Sequence, residues 1–121
     1  MRVFKIREAV YDVEPLFVLG CDADALVAYV KRHFKVDIER PEDGVIGTSI
    51  TLRVAPWRIV WSKRNDLATV LHEVFHLTTR ICHDRYIQIR AKNERGDVDD
   101  EAAACLFTFF ARGVLKHMRK T

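Results

Sequence analysis

The sequence predicts an α+β domain with a small, mostly antiparallel sheet, its elements in the order β-β-α-β-β-α-loop-α. Three observations point there. Short runs rich in β-branched and aromatic residues come in two pairs, each pair split by turn-forming residues. Longer stretches repeat their apolar residues at helical spacing behind polar residues suited to capping. At 121 residues the chain has the length of one domain, so residues 1–121 are expected to fold as a single unit.

The first pair of strands is read at Val3 to Val10 and Val13 to Leu19, joined by a turn near Asp12. Pro15 confines its strand to an edge or to an irregular start, because it offers no N–H to a ladder. Asp22 then caps a helix over DADALVAYVKRHF, in which Ala25, Leu26, Tyr29, Val30 and Phe34 share one side. ERPEDGVIG, with Pro41, Gly44 and Gly47, is a loop.

The second pair is Thr48 to Val54 and Trp57 to Lys63, parted by Ala55-Pro56. In the latter, Trp57, Ile59 and Trp61 alternate with Arg58, Val60 and Ser62, as expected of a half-buried strand. Asn65-Asp66 caps the next helix, which holds VLHEVFHLTTR. Its pattern breaks up after Arg80 into a long charged connection. A last helix runs from about Asp99 to Lys120 with Ala103, Phe107, Phe110, Val114 and Met118 as its buried stripe, interrupted by Gly113.

Composition narrows the function classes. Apolar residues make up 49% and charged residues 31%, a globular balance and not a disordered one. The uncharged apolar runs are too short to span a bilayer. Charges are interleaved through MRVFKIREAVYDVE, unlike a secretory signal, so a cytoplasmic location is expected. Cys21, Cys82 and Cys105 are odd in number and far apart, which argues for small buried thiols and against a disulfide framework. Net charge is only +3, without the basic stripe and interleaved aromatics of a nucleic-acid binder.

The chemistry is concentrated in His72-Glu73-Val74-Phe75-His76. Two histidines four apart on a helix stand one turn from each other on the same face, close enough to share a metal ion. Glu73 lies about 100° further round. It is therefore expected to serve as general base and not as a ligand. A wheel groups Leu67, Val70, Leu71, Val74, Phe75, Leu77 and Ile81 in one arc, with Thr69, His72, Glu73, His76 and Arg80 opposite.

A third ligand is required. A continuation with glycine at 79 and histidine at 82 is ruled out by Thr79 and Cys82. His83 would serve if the helix ended near Arg80 and the chain folded back. Glu101 is the stronger candidate, since Ala104, Cys105 and Thr108 follow on its face and would let two helices approach. The acidic run Asp97, Asp99, Asp100 and Glu101 also simply suits a helix N-terminus.

His72-Glu73-x-x-His76 followed by Glu101-x-x-Ala104-x-x-Phe107 resembles the ImmA/IrrE-type metallopeptidases, gluzincin-like zinc proteins of phages, mobile elements and bacteria. The likeness covers about residues 57 to 115. Phe75 stands where that family often has glycine, and Thr108 where it has alanine. The resemblance implies a minimal zincin-like domain, Zn2+ on His72, His76 and Glu101, and Glu73 as base. Its implied target is a cytoplasmic protein, for example a helix-turn-helix repressor, and the charge pattern and short apolar runs add the expectation of no direct nucleic-acid or membrane partner. His83, Tyr86 and Arg80 are candidates for steadying the transition state or contacting substrate, and the strand Trp57 to Lys63 either pairs with an extended peptide or is an inner strand fully occupied by its neighbours. The alternative is a zinc-bearing protein-binding module or antirepressor of the same fold, acting by contact without proteolysis.

Overall fold

The computed structural model describes residues 1–85 and 100–119. It is α+β, with strands β1 (Arg2–Lys5), β2 (Leu16–Leu19), β3 (Gly47–Thr51) and β4 (Arg58–Ser62), and helices α1 (Ala23–Phe34), α2 (Leu67–Asp84) and α3 (Glu101–Met118). The sheet order is β1-β2-β4-β3. Its outer pairings are antiparallel, but β2 and β4 run parallel, Val18 opposite Trp61, so the sheet is mixed. The cause is the connection. Hairpin partners can be antiparallel neighbours, whereas the chain leaves β2 through α1, passes through β3, and turns back into β4, which enters the sheet from the same end as β2.

Each central strand is buried on both faces. Phe17, Leu19 and Val60 join a core with Val70, Val74, Leu77 and Ile81 of α2 and Leu106, Phe110 and Val114 of α3. Leu16, Val18, Ile59 and Trp61 form a second core with Leu26 and Val30 of α1. The sheet is thus sandwiched between α1 and the α2–α3 pair. The half-buried reading of Trp57 to Lys63 is corrected accordingly. Arg58 to Ser62 forms the strand, and Val60 and Ser62 are as buried as Ile59 and Trp61 because helices cover both sides.

Several boundaries move for local reasons. The expected hairpin forms, yet its strands stop short because the Glu8 carboxylate accepts from the N–H groups of Val10 and Tyr11 at 2.8 and 2.7 Å. That draws the turn out of the ladder, and a lone bridge from Glu8 to Val13 remains. Pro15 sits just ahead of β2, an irregular start to an interior strand. Asp22 caps α1, its Oδ1 accepting from the Ala25 N–H at 2.8 Å. Helix α2 does not end near Arg80; Ile81 and Cys82 are buried against the core and carry it on to Asp84. Of the cysteines, Cys82 is buried, Cys21 intermediate and Cys105 exposed, so the expectation of three buried thiols fails at Cys105. Among the described residues no helix is long and apolar enough to cross a membrane.

Gly113 has a packing reason inside α3. A Cβ there would lie 2.8 Å from Cδ1 and 3.1 Å from Cγ2 of the buried Ile6. Alanine would gain about 1 kcal/mol of helix propensity, but overpacking costs roughly 1–3 kcal/mol. Gly113→Ala is therefore expected to lower stability in urea unfolding, and to raise it in an Ile6→Ala background. A gain in both backgrounds would count against the contact.

Candidate metal-binding and active site

The site is assembled by α2 and the outer strand β3. Asp66 starts the helix, its Oδ1 accepting from the Thr69 N–H at 2.9 Å. Val70, Val74, Leu77 and Ile81 then lock it to the sheet. This fixes the azimuth of every other side chain on α2.

The buried stripe is rotated from the one expected. Leu67 and Phe75 are 39% and 58% exposed, whereas Glu73 is only 4% exposed. Positions 70, 73, 74, 77, 78 and 81 follow the i, i+3, i+4 rule, which places Glu73 inside the stripe. The apolar character of Leu67, Leu71 and Phe75 pulled the sequence-based arc toward them. Glu73 is thus enclosed at the border of the core.

His72 and His76 lie on the exposed side with their Nε2 atoms 3.2 Å apart and their rings tilted by 74°. Two nitrogens about 2.05 Å from one tetrahedral ion would be roughly 3.3 Å from each other. The pair therefore has the spacing for a shared Zn2+. Glu73 Oε1 stands 4.0 Å from His72 Nε2, beside the pair and not between its nitrogens.

These side chains line an open cavity of about 490 Å³ whose far wall is Gly47, Thr48 and Ser49 of β3. Thr79, Arg80 and His83 extend it along the helix. By sequence the β3 residues are loop and strand with no part in a site. Nothing in their composition marks them, because strand order alone brings β3 to the edge beside α2. Of the two readings of Trp57 to Lys63 the inner strand holds: β2 and β3 flank β4 on both sides, so it has no free edge for a peptide.

Burial holds the Glu73 carboxyl above its ordinary value, and the neighbouring His76 and His72 pull it partly back. A raised folded value means the folded state favours the proton. That contribution to stability is present below the unfolded value, about 4.3, and is lost as pH rises through the folded one. In metal-free protein, Glu73→Gln is expected to remove this fall in stability above that pH. Urea midpoints measured across pH check it, and wild type and variant declining in parallel would contradict it.

The structure does not bring Glu101 to the histidines. It opens α3, is exposed, and accepts from the Cys105 thiol on its own helix at 3.4 Å. With Ala104, Cys105 and Thr108 it lines a separate groove beside Ile6 and Arg112. Helix α3 meets α2 through Leu106, Phe107 and Phe110 instead. The small-residue face thus serves that groove and not a shared metal. Among the described residues no group of three or more His, Cys, Asp or Glu could hold an ion, so the donor set there fits zinc at two positions and lacks the third. His83 remains on α2, facing the cavity, and does not fold back; Tyr86 lies outside the described residues. The chain matches no protein-family model, no curated protein and no solved structure.

Proposed function

We propose that this chain is a zinc-dependent metallopeptidase of the ImmA/IrrE-like, zincin-like kind, acting on a peptide bond of a cytoplasmic protein. The observation that carries the reading is the convergence of His72 and His76 Nε2, 3.2 Å apart, beside the enclosed Glu73. His72 and His76 would hold the ion. Zinc bound there supplies Lewis acidity and an acidified water near neutral pH.

The protein's own groups do the rest. Glu73, walled by β3 and raised in pKa by burial, takes a proton from water at its carboxylate and hands it to the leaving amine. The outer edge of β3, unpaired among the described residues, offers backbone N–H and C=O groups to an extended peptide alongside the cavity. Arg80 and His83, on the cavity wall, are the groups available to steady developing negative charge. A helix-turn-helix repressor is the substrate class that the family resemblance suggests.

One observation favours the second reading, a binding module or antirepressor that acts by contact. Glu101 faces its own groove, so among the described residues the two imidazoles stand without the third protein ligand that a catalytic zinc site takes. Zinc stoichiometry is the primary test. Purified wild type is expected to carry about one zinc per chain and His72→Ala none. A wild type without zinc after metal reconstitution would overturn both zinc-based readings.

A further inference from the structure

Gly47 opens β3 directly against the Glu73 side chain. A Cβ at this position would lie 2.9 Å from Cγ, 2.9 Å from Oε1 and 3.0 Å from Cδ of Glu73. Among the described glycines only Gly20 and Gly44 take positive φ, so backbone conformation does not call for glycine at 47. Space does.

Neither partner can retreat as a body. Gly47 is registered opposite the buried Ser62 in the β3–β4 ladder, and the adjoining Lys63 N–H donates to the Ile46 carbonyl at 2.8 Å. Glu73 is carried by a helix whose Val70, Val74 and Leu77 are fully buried. A methyl group at 47 must therefore be met by the Glu73 side chain. The contact begins at Cγ, so a swing of the terminal carboxylate alone does not relieve it. The whole side chain must change rotamer, carrying the carboxylate away from β3 and from its place beside His72.

We propose that Gly47 is a positioning residue: its missing side chain leaves the gap in which the Glu73 carboxylate stands beside the His72–His76 pair. The inference rests on the peptidase reading for what Glu73 does there, but not for the contact itself. It also adds a specificity to the edge strand, whose register must bring a glycine, and no other residue, opposite position 73.

The test is a double-mutant cycle on metal-free protein in chelator, read by thermal unfolding. Gly47→Ala is expected to lower Tm by roughly 3–6 °C. In a Glu73→Ala background the same change should leave Tm level or raise it, since the methyl then fills vacated space. Any effect of alanine on the unfolded chain appears in both backgrounds and cancels. Glu73→Gln, which keeps Cγ and the shape of the end group, should show the same Tm loss on Gly47→Ala as wild type, so that only removal of the side chain beyond Cβ restores Tm, which a general weakening of β3 would not allow. Gly47→Ala should also still bind about one zinc per chain, because neither histidine touches position 47. Equal Tm losses in the wild-type and Glu73→Ala backgrounds, or a loss that Glu73→Gln abolishes, would overturn the proposal. A wild type that binds no zinc yet shows the coupling would sink the peptidase reading and leave Gly47 as the residue that places Glu73.

Discussion

Glu73→Gln is expected to retain about one zinc per chain and to lose hydrolysis by a factor of about 10²–10⁴, the usual contribution of a positioned general base. The amide matches the carboxylate in shape, so it fits the same gap between α2 and Gly47. It does not touch the ligand pair, whose Nε2 atoms face one another on the exposed side of the helix. What it removes is the ability to take a proton. In free energy the loss corresponds to roughly 3–5 kcal/mol of barrier. The measurement is single-turnover cleavage of a repressor substrate by zinc-loaded wild type and variant, with the metal content of both determined. A variant that cleaves as fast as wild type would remove Glu73 from the chemistry, and wild type that binds the repressor without cutting it would favour the contact reading.

Trp61→Ala is expected to be the most destabilising of the substitutions considered, by about 3–5 kcal/mol. Trp61 is fully buried on the α1 side of β4, in one cluster with Leu26, Val30 and Ile59. Its indole N–H donates to the Cys21 carbonyl at 3.0 Å, tying the interior strand to the start of α1. Alanine would open a cavity and strand that carbonyl. Domains of this size are stable by only about 5–15 kcal/mol, so much of the total is at stake. Trp61→Phe, which keeps most of the volume and loses the hydrogen bond, should cost distinctly less. Urea unfolding of the three proteins orders them, and an alanine variant within about 1 kcal/mol of wild type would mean that the two-sided packing of β4 is not what holds the sheet.

Much of the architecture was legible in the sequence because it rests on local signals. Asp22 and Asp66 occupy the caps read for them, each accepting from the N–H three residues on. The helix pattern of His72 and His76 put both imidazoles on one face. Strand existence was legible too, whereas strand length was not. The Glu8 carboxylate shortens the first hairpin by capturing two N–H groups of the turn, a competition that no apolar periodicity records.

The candidate site was legible only along α2. Glu73 was assigned to a polar arc because a wheel weighs side chains by character, while the structure buries it because β3 lies beside that turn of the helix. The small residues on the face of Glu101 suggest a close approach to the histidine helix, yet they border a groove with Ile6 and Arg112. Gly47 has the sequence context of a loop-former, and its proximity to Glu73 is a matter of which strand occupies the sheet edge.

By itself the sequence determined the α+β class, the elements in their order, the caps and the helical spacing of the two imidazoles. These follow from hydrogen-bonding and periodicity within a few residues of each other. Only the tertiary structure decided the parallel pairing of β2 with β4, the two-sided burial of Trp61 and Val60, the enclosure of Glu73 against Gly47, and the turning of Glu101 toward its own groove. Each of those depends on which surfaces meet when residues far apart in the chain bury their apolar area together, and side-chain character alone does not encode the partner.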